Sequence, residues 1–165
     1  DLIVGPIGFG IPGRSQPLFS DRLVCVVSQD NPRVRDGALD LEDLRSMPHA
    51  LANVLADWTS RRPLESTFEA AGIVPSAPVL VSNLLALPYA VSGTDMCAFV
   101  PSRLALRTRI PLGLSIVDTP LPPVEIVEAA HWHPRRAHDP AGVWLRELLY
   151  DLAVQLEDAR ELLDS

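Results

Sequence analysis

A chain of 165 residues with 47% hydrophobic and 21% charged side chains is long enough to bury roughly two-thirds of the surface its unfolded form exposes. That balance predicts an ordinary globular fold and excludes a disordered, collagen-like or coiled-coil chain. The net charge of −7, with 14 basic residues scattered and nowhere forming a stripe, excludes direct binding to nucleic acid, which needs clustered cations to displace counterions from phosphate.

Leu2 to Val4 reads as a short strand, entered midway because no Met precedes it, so the chain is expected to be a fragment. Gly5 to Pro17 is too rich in Gly and Pro for regular structure and reads as a loop. Arg22 to Ser28 is almost continuously apolar and β-branched, the pattern of a strand covered on both faces, and Asp30-Asn31-Pro32 breaks it. Asp40 to Met47 predicts a short helix with Asp40 as its cap. A strand follows at His49 to Leu55. Arg61 to Ala71 predicts an amphipathic helix, with Pro63 near its start, Gly72 past its end and Leu64, Phe68 and Ala71 on one face.

Pro78 to Val81 reads as a strand. Ser82 and Asn83 then supply cap chemistry for a helix from Leu84 to Ser92, which Pro88 should break into two pieces. Further strands are expected at Met96 to Val100, Leu114 to Val117 and Glu125 to Trp132, with a short helix at Ser102 to Arg107. Asp139-Pro140 starts a long helix, and Leu145, Leu148, Leu149, Leu152, Leu156, Ala159 and Leu163 form one apolar stripe expected to pack largely on the sheet. Short alternating strands and helices point to an α/β fold with a largely parallel sheet.

Cys25 and Cys97 sit in apolar runs without metal-ligand spacing and read as buried free thiols. His131 and His133 alternate along a strand and could share a metal if a third ligand folded back, or else cap and face solvent. No activated serine, phosphate loop or dinucleotide fingerprint is present, so neither an enzyme nor a bound cofactor is expected. The turn at Ser82-Asn83 is either an ordinary helix cap or an anion site for a carboxylate ligand. His49, beside Pro48, either pairs with a ligand or fills space. No apolar stretch reaches the roughly 20 residues that cross a bilayer, so a cytoplasmic chain without membrane contact is expected.

Three segments, DRLVCVVSQDNP, VSGTDMCAFVPSRLA and HWHPRRAHDPAGVWLRELL, read together and in this order, resemble the effector-binding domain of LysR-type transcriptional regulators. The Gly93-Thr94-Asp95 form and the Trp-His-Pro followed by Asp-Pro are most similar to the branch of nodulation and naphthalene/salicylate-type activators. The resemblance implies a periplasmic-binding-protein type 2-like α/β fold, with two α/β subdomains joined by crossover strands and a small aromatic or carboxylic effector in the cleft between them. Residues 22–124 would form the second subdomain, and 1–21 with 125–165 an incomplete first subdomain with its crossover. The winged helix-turn-helix of the family would lie outside this chain. Promoter DNA would be met only through that domain, in a homo-oligomer, dimer or tetramer. By position in the family pattern, Phe9, His49, Ser82, Asn83 and Leu84 would face the effector. The alternative is a stand-alone or periplasmic solute-binding protein on the same fold.

Overall fold

In the computed structural model, residues 2–8, 10–52, 63–75 and 78–161 are described. Their order is β1 (Leu2–Pro6), β2 (Arg14–Ser28), α1 (Leu41–Ser46), β3 (Ala50–Ala52), α2 (Pro63–Ala70) and β4 (Val79–Val81). There follow a 3-10 turn at Leu84–Ala86, α3 (Leu87–Val91), β5 (Cys97–Pro101), α4 (Ser102–Thr108), β6 (Leu114–Val117), β7 (Val124–Trp132) and α5 (Pro140–Glu161). Among the described residues, one compact unit gathers 2–21 and 125–161, and another gathers 22–52, 63–75 and 78–124. No helix among them is long and apolar enough to cross a membrane.

In the first unit β1 runs antiparallel to β7, from Leu2 opposite Trp132 to Pro6 opposite Glu128. Here the expected loop gives way earlier than its Gly and Pro content suggests, because β2 begins at Arg14. The pairing that makes Arg14 to Pro17 a strand is tertiary, so no local pattern announces it. The chain enters β2 at Gly13, whose φ of +120° is open to glycine and whose Cα faces the Trp132 carbonyl too closely for any Cβ.

Helix α5 starts as its sequence dictates, with Asp139 Oδ2 accepting from Gly142 N–H at 2.9 Å. Its leucine stripe does not pack as expected: Leu145, Leu148, Leu152 and Leu156 remain 36–47% exposed. The inward face instead carries Arg146 and Ala153. The Arg146 guanidinium lies 4.4 Å from the Trp132 ring centre and donates to Ala137 O at 2.7 Å. A cation stacked on an aromatic face and bonded to a carbonyl has decided the helix rotation, which hydrophobic periodicity alone cannot rank.

Glu128, on β7, has its carboxyl raised above the ordinary range, first by burial and then by the neighbouring charge of Asp21. A carboxyl whose folded pKa is raised takes up protons more readily when folded, so its contribution to stability falls as pH rises through that pKa. Glu128→Gln is therefore expected to gain stability over the parent as pH rises from about 4, the ordinary glutamate range, through the raised folded value. Urea midpoints across that window measure the gain, and parallel curves for the two proteins would contradict it.

In the second unit β2 continues with neighbours on both edges, β5 and β6, each antiparallel to it. Cys25 and Val27 turn to one core, with Leu44, Phe68, Cys97 and Phe99. Val26 turns to another, with Ala50, Leu87, Val91, Ala98, Val100 and Leu114. This accounts for the unbroken apolar run, but the expected largely parallel sheet is not what forms: β1–β7, β2–β5 and β2–β6 are antiparallel and β3–β4 is parallel. Continuous hydrophobicity reports that both faces are covered and carries no information on the direction of the neighbouring strands.

Local signals hold well in this unit. Asp40 Oδ1 accepts from Asp43 N–H at 2.7 Å and caps α1. Gly72, at φ +65°, ends α2, with Gly72 N–H bonded to Glu69 O and Ile73 N–H to Phe68 O. That pair of bonds is a Schellman cap, which favours glycine at this position. Pro88 divides the 84–92 segment as anticipated, leaving the 3-10 turn and then α3 with Pro88 in its first turn.

Candidate functional site

His49 precedes β3, and its position is set by three strands. Its carbonyl accepts from Val79 N–H at 2.9 Å, which opens the parallel β3–β4 ladder, and it bridges to Cys97 on β5. The side chain is 1% exposed. Its ring meets Phe68 edge-on at 5.5 Å between centroids, and Phe68 meets Phe99 in the same way at 5.4 Å. Neither ring nitrogen has a hydrogen-bond partner of ordinary length and angle. A buried imidazole against a phenyl ring, with no hydrogen bond of ordinary geometry on either nitrogen, is costly, by about 1–3 kcal/mol for each unmet group, and such costs concentrate at functional positions.

Ser82 and Asn83 form the exposed turn after β4. Asn83 Oδ1 accepts from Ala86 N–H at 3.0 Å, committing its oxygen to the cap and leaving Nδ2 as its donor. Leu84 packs against the core of Ala50, Leu87 and Val91. The structure does not bring this turn to His49. Asn83 lies four residues beyond Val79, about 13 Å along the strand direction. His49 turns to the Phe68 side of β3, whereas Leu84 lies with the opposite core. Of the remaining expected site residues, Phe9 lies outside the described residues.

The two histidines near the end of β7 serve different purposes. His131 Nε2 lies 3.0 Å from Gly5 O in the buried β1–β7 pair, while His133 Nδ1 accepts from Arg135 N–H at 3.1 Å as the cap of a 3-10 turn. Among the described residues no group of three or more His, Cys, Asp or Glu side chains could hold a metal ion.

The residue classes around His49 were partly concealed in the sequence. Cys97, beside the ring, has its thiol lowered first by a hydrogen bond with Cys25 and further by His49, against the opposing effect of burial. Cys25 is raised, its proton held in that same bond. No short motif links positions 25, 49, 68, 97 and 99; only strand register and helix packing unite them. A separate surface cavity of about 510 Å³, lined by Arg35, Leu39, Asp40, Asp118 and Pro120 among others, contains none of the expected site residues.

Residues 2–153 match the family model described as the LysR substrate binding domain. The chain is 33% identical over 164 residues to the HTH-type transcriptional regulator SyrM 1 of Sinorhizobium fredii, covering 97% of this chain and 47% of that protein. The HTH-type transcriptional activator NahR of Pseudomonas putida is 32% identical over 157 residues, covering 92% of this chain and 50% of that one. The regulatory domain of CcmR from Synechocystis PCC6803, solved in complex with 2-PG, superposes with a TM-score of 0.75 at 12% identity, over 93% of this chain and 73% of that chain. The chain spans about half the length of the curated relatives it matches. The fold is that of LysR regulatory domains, periplasmic-binding-protein type 2-like, and the chain belongs to the LysR substrate-binding-domain family.

Proposed function

We propose that this chain senses a small aromatic or carboxylate effector for a LysR-type regulator, and that effector binding biases how DNA-binding domains of an intact homo-oligomer grip a promoter. The observation that carries the reading is His49, an imidazole 1% exposed, set against Phe68 and with no hydrogen bond of ordinary length and angle on either nitrogen. A carboxylate or phenolic hydroxyl would supply that partner, and the phenyl rings would face an aromatic body. Phe68, on α2, packs edge-on against the buried ring, so a ligand that reaches His49 must displace part of this packing. Occupancy and the position of α2 are thereby linked, and the ligand favours whichever arrangement it binds better. The Ser82–Asn83 turn, some 13 Å away by strand geometry, is proposed as a separate anchoring point for an anion, bordered by Leu84. The relatives bear the names of transcriptional regulators, which supports a cytoplasmic, non-enzymatic role over that of a solute-binding protein.

The test is a thermal-shift screen of the intact regulator against salicylate, hydroxybenzoates, flavonoids and small dicarboxylates, repeated with His49→Ala and Asn83→Ala. A ligand at 100 times its Kd stabilises by about 2.7 kcal/mol, a readily visible rise in melting temperature. The expected result is a hit that His49→Ala removes. A hit that survives this variant and is lost in Asn83→Ala moves the anchor to the turn; absence of any shift from all four classes defeats the aromatic or carboxylate assignment.

A further inference from the structure

The two cysteines of this sequence stand on adjacent antiparallel strands in a relation the fold has imposed. Cys25 lies opposite Phe99, and Cys97 lies opposite Val27. The thiols are therefore diagonal neighbours, and both point into the same core, where Val27, Phe68 and Phe99 also lie. Beside Cys97 stands His49, bridged to it through the backbone and with neither ring nitrogen otherwise engaged. Two thiols at diagonal positions facing one core, next to an imidazole, supply the parts that two-electron thiol oxidation requires.

We propose that Cys25 and Cys97 form a reversible intrachain disulfide when hydrogen peroxide reaches this core, making the β2–β5 pair a redox-sensitive element of the domain. In the first step the Cys97 thiol gives its proton to His49, and its sulfur attacks a peroxide oxygen. The O–O bond breaks, Cys97 becomes a sulfenic acid, and the departing hydroxide takes the proton back from His49 to become water. In the second step the Cys25 sulfur attacks the sulfenyl sulfur of Cys97. The S–O bond breaks, and the Cys25 proton leaves with the hydroxide as a second water. Two thiols have lost two electrons, and one hydrogen peroxide has been reduced.

Two features shape the behaviour of this pair. Both thiols are buried, Cys25 at 2% and Cys97 at 0% exposure, so oxidation awaits a local opening and is slow compared with that of a surface thiol. Diagonal neighbours are about 7–8 Å apart between Cα atoms, whereas disulfides usually span at most about 6.8 Å. Closing the bond thus draws β5 against β2 and moves His49 with Cys97. A bond formed under that demand is readily reduced, which makes the change reversible.

The experiment exposes the intact folded polypeptide to hydrogen peroxide, blocks remaining thiols with iodoacetamide in denaturant, and maps tryptic peptides by mass under non-reducing conditions. The expected result is a Cys25–Cys97 linked peptide that dithiothreitol converts back to two alkylatable thiols. In Cys25→Ser the same treatment should leave Cys97 as a sulfenic acid trapped by dimedone; if that variant does not fold, the parent protein still decides the matter by its linkage. Full alkylation of both cysteines after peroxide overturns the proposal. So does over-oxidation of Cys97 with Cys25 unlinked, a linkage between two chains, or a linkage that forms in urea and not in the folded protein.

Discussion

Phe68→Ala is expected to destabilise the unit that holds β2 to β6 by about 3–5 kcal/mol, the range for removing a buried phenyl group and leaving a cavity. Phe68 is 5% exposed and stands between His49 and Phe99, edge-on to both. Its removal deletes two aromatic contacts at once, and the Schellman cap that follows on Phe68 O holds the end of α2 where it is, so collapse into the space is restricted. The melting temperature should fall by about 6–20 °C for a domain of this size. Urea unfolding should show a lower midpoint with an unchanged slope, because the surface exposed on unfolding hardly changes. Phe68→Leu, which refills most of the volume, should recover the larger part. A fall of less than about 1 kcal/mol would mean that this ring is not a core element. The same variant bears on effector sensing, since opening the wall over His49 should increase access to the imidazole while loosening the grip on an aromatic ligand.

Gly13→Ala is expected to be the most damaging single methyl group in the unit that holds β1, β7 and α5. Two independent penalties meet there. The φ of +120° is a conformation that L side chains rarely adopt, with a cost of about 1–3 kcal/mol by itself. The added Cβ would also collide with the Trp132 carbonyl oxygen and lie 3.1 Å from its carbon, and both are backbone atoms of β7 that cannot rotate aside. Gly8→Ala is the matched control, because Gly8 has φ +89° and nothing within 4 Å of an added Cβ. Gly8→Ala should therefore show only the conformational cost. Melting temperatures of the two variants give the answer: Gly13→Ala should fall well below Gly8→Ala, and equal losses would mean that β7 does not lie where the structure puts it.

The sequence by itself determined the local elements and the class of the chain. Asp40, Gly72, Pro88 and Asp139 each act within a few residues of themselves, through a capping carboxyl, a left-handed turn, a missing N–H or a preset φ, so their effect is the same wherever the element later packs. The spacing across three segments carried the family resemblance in the same way, because order along the chain survives folding. The tertiary structure alone decided strand direction, helix rotation and the grouping of the site. Apolar runs such as LVCVV record how many faces are covered, and an antiparallel neighbour covers a face as well as a parallel one. The α5 stripe was legible, but in the structure Arg146, over Trp132, and Ala153 lie on the inward face, a rotation that periodicity alone cannot rank. His49 precedes β3 and Asn83 follows β4, so they flank opposite ends of the β3–β4 pair. Cys97 and Phe68, distant in sequence, meet His49 because strand register and helix packing place them there.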